Sequence, residues 1–120
     1  MLETRCFKIK LKPDSLERVR EWAQTINERK DEALETLRDE SVFIEAVFLD
    51  STEHGDFLIS FMKAESFEKA RKAVEGSLHS IDEYHRQFKR DVWVEVKQLE
   101  TLVDLDRVEE KKEANTIQVR

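Results

Sequence analysis

Hydrophobic positions along this chain switch between a period of two and a period of three to four. From Cys6 to Leu11, the apolar Phe7, Ile9 and Leu11 alternate with Cys6, Lys8 and Lys10, which predicts a strand with one apolar face. Pro13 and Asp14 end it. Asp14 is the expected N-cap of the following helix, with Glu17 in the capping-box position. Leu16, Val19, Ala23, Ile26, Ala33, Leu34 and Leu37 then form one amphipathic stripe, so a single helix is expected over about residues 14–38. Lys30 interrupts that stripe and is expected to snorkel. Val42–Leu49 and Phe57–Met62 read as a hairpin whose polar loop, Asp50 to Gly55, is longer than the tightest types. Ser66 is placed to cap a helix carrying Phe67, Ala70, Ala73 and Val74, and Gly76 to end it. Ser80 and Glu83 form a second capping box, ahead of an inner face of Ile81, Tyr84, His85 and Phe88. Val92–Val96 closes the series, and the slip in alternation near Gln98 marks a bulge or the strand's end.

The order is β-α-β-β-α-β with the second crossover split into two helices. Right-handed crossovers turn this into a ferredoxin-like α+β fold: a four-stranded antiparallel sheet with helices on one face. The other face of such a sheet should read as polar. Here Val42, Ile44, Ala46 and Phe48 alternate with Phe43, Glu45, Val47 and Leu49, and Phe57, Ile59 and Phe61 with Leu58, Ser60 and Met62, so both faces are greasy. Trp93 adds to the second face. An apolar surface of that extent calls for a cover. A homodimer joined through the sheet faces supplies it most simply; a C-terminal tail folded back over the same face is the competing explanation.

Composition narrows the setting. A chain of 120 residues is one domain's length, with a ferredoxin-like domain expected over about 1–106 and a charged tail over about 107–120. The net charge of −6 disfavours nucleic acid and anionic membrane as partners. The segment from His54 to Phe61 faintly echoes an RNA-recognition motif, yet Asp56 and Leu58 stand where stacking aromatics belong. Cys6 has no partner for a disulfide, Met1–Lys12 has no uninterrupted apolar stretch, and no run is long enough to span a bilayer; a cytoplasmic setting is expected.

Candidate chemistry gathers around the last predicted helix. On a helix starting at Ser80, Asp82 reaches His85 at i,i+3 and Arg86 at i,i+4, beside Tyr84. A carboxylate-oriented imidazole next to a phenol suits general acid–base catalysis, with His85 as base, Asp82 as orienter and Tyr84 or Arg5 as polariser. The alternative makes Tyr84 and His85 core residues bonded to backbone. Glu45 among Phe43 and Val47 is either a pocket acid or base, or half of a salt bridge. Arg5, Glu45, His79 and Trp93 are the ligand-binding candidates, although Trp93, like Trp22, also serves as plain packing. Three histidines, with His79 and His85 on different helix faces and His54 in a loop, predict no metal site. No cofactor is expected, and no phosphate loop or nucleophile elbow is present.

The element order, the two-faced hairpin and the segment His79-Ser80-Ile81-Asp82-Glu83-Tyr84-His85 resemble the dimeric α/β-barrel superfamily over about residues 3–105. Within it the chain is similar to an uncharacterised bacterial family of short proteins. The superfamily includes cofactor-free monooxygenases, haem-dependent enzymes, sugar mutarotases and members without known activity. The resemblance implies a small-molecule pocket between sheet and helices, with cofactor-independent acid–base or oxygenation chemistry as one outcome. A noncatalytic binding or structural dimer is the second. A haem protein, with His85 or His79 as axial ligand, is the third.

Overall fold

The structure, a computed structural model, describes residues 1–108; most of the expected tail, 109–120, lies outside the described residues. The elements are β1 (Glu3–Leu11), α1 (Leu16–Glu28), α2 (Lys30–Glu40), β2 (Val42–Thr52), β3 (Gly55–Ala64), α3 (Phe67–Glu75), α4 (Ser80–Val92) and β4 (Trp93–Gln98). The strands form one antiparallel sheet in the order β2-β3-β1-β4, the ferredoxin-like order.

The expected single helix over about 14–38 is two helices. Arg29 leaves helical geometry at φ −101°, ψ 34°, while its own N–H still bonds Thr25 O and its carbonyl still accepts from Ala33. The break lets the stripe change partners. Ile26 packs on one core cluster and Leu37 on another. The Arg29 side chain bonds Glu32 and reaches Ser80 Oγ at 2.9 Å, pinning the break to α4. Asp14 is not the cap: it takes a left-handed conformation (φ 59°), and Ser15 fills the N-cap position with its hydroxyl donated to Lys12 O.

The hairpin is tighter than expected. β2 and β3 pair out to Thr52 and Gly55, leaving Glu53 and His54 as a two-residue turn. Gly55 has φ +130°, which a side chain would resist. Thr52 Oγ1 both donates to Gly55 O and accepts from His54 N. The expected cap at Ser66 is present, accepting from Lys69 N at 3.3 Å. The one at Ser80 is not: His79 occupies the N-cap of α4 and makes no side-chain cap bond. In β4 the irregular register falls between Trp93 and Glu95 rather than near Gln98, where the strand ends.

A second register shift corrects the expected faces of β2. Val42 lies opposite Ala64 and Ile44 opposite Lys63, so Phe43 is an extra residue and Val42 turns to the helix side. There it is buried with Ala64, Phe67 and Ala70. A separate cluster of Ile9, Leu11, Val19, Trp22, Leu58, Phe88 and Val92 fills the other end.

On the sheet's outer face, Ile44, Ala46, Phe48, Ile59 and Phe61 stand beside Cys6, Lys8 and Lys10, and no helix covers them. Phe48 is 59% exposed. The segment after β4 continues along β1, with Leu99 N bonded to Cys6 O, and then crosses one end of this face. It is held there by Lys63, 5% exposed, whose ammonium bonds Thr4 Oγ1, Asp104 and Asp106. Leu102, Val103 and Leu105 stay exposed, and so do Ile44 and Phe48, so through residue 108 the tail tethers to the outer face without covering it.

Phe88 is fully buried at the centre of the larger cluster, stacked on Trp22 with centroids 4.4 Å apart. Phe88→Ala is expected to lower unfolding free energy by about 3–5 kcal/mol, read as a shifted urea midpoint with an unchanged slope.

Candidate functional site

The two apolar clusters do not merge. On β3 the helix-facing Leu58 belongs to one, Met62 and Ala64 pack in the other, and Ser60 lies between them. A single domain normally has one contiguous core. Charged side chains gather at this gap. Glu40 ends α2, Glu45 projects from the helix-facing side of β2 opposite Met62, and α4 contributes Asp82, His85 and Lys89. The α4 positions fall at i, i+3 and i+7, one inward stripe. Glu45 is exposed on β2, yet the groups crowded around it are enough to desolvate its carboxyl.

Electrostatics in this chamber are far from those of a surface. Burial pushes the Glu40 carboxyl up to about 7, helped by the nearby Asp82 and Glu45 charges and opposed by Thr36 and Lys89. Burial likewise raises Glu45, against the attraction of Lys89 and with the repulsion of Asp82. The Lys89 ammonium is pushed down, because desolvation outweighs the attraction of Glu45 and Glu40. Next to the chamber, and sharing Glu40 and Asp82 with it, a cavity of about 280 Å³ opens beneath the α3–α4 linker, lined also by Asp39, Ser77 and His79.

His85 is not oriented by Asp82. Trp22 Nε1 donates to His85 Nδ1 at 3.1 Å. An indole nitrogen only donates, so Nδ1 is the acceptor and the proton of the neutral imidazole sits on Nε2. The ring stacks on Trp22 and meets Trp93 edge-on, with centroids 5.6 Å and 6.5 Å away. Burial, with Lys89 adding repulsion, lowers its pKa to about 4. Near neutral pH, His85 is a neutral hydrogen-bond donor through Nε2 rather than the expected base. Asp82 is elsewhere engaged: in the first turn of α4 it accepts from Ser77 Oγ and so fastens the linker.

The other candidates separate. Tyr84 faces α1, where its hydroxyl accepts from Arg18 at 3.2 Å and its ring lies under that guanidinium. Arg5 stacks over Phe67 at 4.5 Å. His79 Nε2 bonds Asp39 at 2.8 Å on the cavity side, and that hydrogen bond raises its pKa. Trp93 keeps Nε1 buried without a hydrogen-bond partner and carries the Lys89 ammonium over its ring. Asp82, His85, Glu45 and Trp93 thus come together around Lys89, whereas Tyr84, Arg5 and His79 do not. Lys89 and Glu40 are absent from the sequence-based candidates. Lys89 could have been found, since it stands one helical turn beyond His85. Glu40 carries no signal, because only the fold brings the end of α2 over β2. Among the described residues no cluster of three or more acidic, histidine or cysteine ligands is arranged to hold a metal ion. No described helix is long and apolar enough to cross a membrane.

The strand order, with helices on a single face and charged groups beneath them, makes this a ferredoxin-like α+β protein. The chain belongs to the family of unknown function DUF6176, which it matches over residues 2–110. No curated protein matches it. Among solved structures, PA3566 from Pseudomonas aeruginosa superposes with a TM-score of 0.53 at 13% identity, covering 85% of this chain and 94% of that one. Rv0793 from Mycobacterium tuberculosis gives 0.51 at 16%, covering 88% and 100%. Both likenesses concern the fold, in keeping with the superfamily resemblance, and neither assigns chemistry.

The shifts of His85 and Glu40 pull stability in opposite directions with pH. Between about pH 4 and 6.5 the unfolded chain binds a proton at His85 that the folded protein refuses, so stability rises with pH. Between about 4.5 and 7 the folded protein keeps a proton on Glu40 that the unfolded chain has lost, so stability falls with pH. Urea midpoints measured across the overlap should rise with pH in Glu40→Gln and fall with pH in His85→Gln.

Proposed function

We propose that this protein is a homodimer that binds a small organic molecule in the polar chamber between sheet and helices and acts on it by cofactor-independent proton transfer. The carrying observation is the interruption of the core. Two apolar clusters stop short of each other, and Glu40, Glu45, Asp82 and Lys89 occupy the gap, the two glutamate carboxyls raised and the ammonium lowered in pKa. Partly desolvating charges in a gap that apolar side chains could fill costs stability, and such costs concentrate at functional sites. Glu45 is the proton-transferring group, since desolvation raises its pKa and so makes the carboxyl a better base and its acid form easier to keep. The Nε2–H of His85 is the donor that steadies negative charge developing on the substrate. Oxygenation without a cofactor would begin from the same proton removal. A cytoplasmic location fits the lone Cys6.

The competing reading, a noncatalytic binding or structural dimer, draws on the internal pairing of Tyr84 with Arg18, of His79 with Asp39 and of Arg5 with Phe67. Titration of labelled protein with a library of small polar aromatics, followed by NMR, separates the two. Site binding is expected to shift the signals of His85, Trp93 and Glu45 together and to weaken about tenfold in Glu45→Gln, a loss of roughly 1.4 kcal/mol on the scale of one hydrogen bond. Shifts scattered over the surface and unaffected by Glu45→Gln would leave the structural reading standing.

For the dimer, the uncovered outer face around Ile44, Phe48, Ile59 and Phe61 is the support. Light scattering should give twice the chain mass of 14.3 kDa, and Phe48→Asp should halve it by placing a charge in the buried contact. A monomer at micromolar concentration would remove the pairing.

A further inference from the structure

The molecule's described lysines differ sharply in what they touch. Lys63 is enclosed by Thr4, Asp104 and Asp106. Lys69 and Lys72 pair with carboxylates one helical turn away. Lys8 lies over the ring of Phe57 on the outer face. Lys89 alone among these is turned into the chamber, and it makes no hydrogen bond and no close ion pair there; its contact is the Trp93 ring, 5.0 Å from Nζ. An ammonium has three N–H donors and normally fills them when it leaves bulk water. One that spends none of them on a protein acceptor, half-buried over an indole and facing carboxyl groups on three elements, is poorly explained as a structural cation.

We propose that Lys89 is a nucleophile, and that its side-chain amine condenses with the carbonyl carbon of a small aldehyde or ketone bound in the chamber to form an imine. This rests on the chamber being a binding site and names the substrate class. The groups that face Nζ are Glu40 from α2, Glu45 from β2, and Asp82, His85 and Arg86 from α4. Desolvation moves Lys89 toward the neutral amine, and Arg86 adds to it. Glu45, Glu40 and Asp82 oppose, but the two glutamate carboxyls are themselves displaced toward the neutral form, and desolvation is the larger effect. Each unit of lowering raises the fraction of free amine at neutral pH about tenfold.

The steps balance without a redox partner. The Nζ lone pair attacks the carbonyl carbon and a C–N bond forms. The carbonyl oxygen takes a proton from the Glu45 carboxyl, and the resulting carboxylate recovers one from the nitrogen, giving a carbinolamine. The C–O bond then breaks, its oxygen leaves as water with a proton from the Glu45 carboxyl, and the remaining N–H proton returns to the carboxylate. One carbonyl and one amine become one imine and one water. The Nε2–H of His85, one turn earlier on α4, is placed to hold the carbonyl oxygen during attack.

The test uses the full chain and acetylacetone, a neutral 1,3-diketone whose condensation with an amine ends as an enaminone with its own near-ultraviolet absorbance. At pH 7 the absorbance should grow with one adduct per chain. Intact mass should rise by one acetylacetone less one water, and peptide mapping should place the adduct on Lys89. Exposed Lys69, paired with Glu65 in open solvent, should be labelled several-fold more slowly than Lys89. Lys89→Arg, which keeps the charge but cannot condense, should abolish the signal, and Lys69→Arg should leave it unchanged. Should Lys89→Arg unfold, Glu45→Gln must still slow labelling at Lys89 without slowing it at Lys69. Labelling spread evenly over exposed lysines, or surviving in Lys89→Arg, overturns the proposal. If acetylacetone shifts the NMR signals of His85 and Glu45 but no adduct forms, the nucleophile is wrong and the chamber stands. If it does neither, both readings fall.

Discussion

Four strands present two faces to their surroundings, and the helices of this chain lie on only one of them. Every other feature answers to that constraint. On the helix side, the chain covers the sheet in two patches rather than one. On the outer side there is only the segment after β4, tethered through Lys63 at one end. A nearly fully buried ammonium on a sheet face is tolerable because Thr4, Asp104 and Asp106 supply its acceptors. The same tether leaves Phe48 and Ile44 exposed and brings Leu102, Val103 and Leu105, exposed as well, so the segment adds apolar side chains open to solvent.

Division of the core has an electrostatic consequence. Where the patches fail to meet, the walls exclude enough water to penalise charge without providing the apolar contacts that would replace it. Groups of both signs respond by moving toward neutrality: Glu40 and Glu45 upward, Lys89 and His85 downward. A raised carboxyl and a lowered amine lie closer in proton affinity than free ones do, which favours proton exchange between them. It also distinguishes this region from the outer-face cluster. There the Lys63 pKa is held up by Asp104 and Asp106 despite its burial, while both carboxylates are held down. Oppositely shifted partners of that kind describe a tether, in which the charges are fixed in place.

Fold was legible in the sequence to the extent that periodicity controls it. Alternation at Phe7, Ile9 and Leu11 and the stripe through Leu16, Val19 and Ala23 depend on local geometry, and they gave the right elements in the right order. Local reasoning failed where a residue answers to something distant. Arg29 breaks a continuous helical stripe because its halves pack on different patches. Phe43 is squeezed out of register so that Val42 can join the second patch. The two-residue turn at Glu53 and His54 was hidden because Asp50 to Gly55 is polar throughout, and polarity does not say where pairing stops.

The site was less legible, for a reason particular to histidine. Spacing correctly put Asp82 and His85 on one face of α4, and from spacing alone a carboxylate three residues away is the natural partner of an imidazole. The partner found is Trp22, 63 positions earlier, and a donor in place of an acceptor reverses the ring's role. With Nδ1 occupied by an incoming N–H, the nitrogen facing away must carry the proton, and burial keeps the ring from gaining another. The inner face of α4 therefore offers, over two turns, a carboxylate committed to the linker, a neutral donor and an unpartnered amine. Asp82 fastens the loop beside the cavity, while the Nε2–H of His85 and the amine of Lys89 are left without hydrogen-bond partners among the described residues.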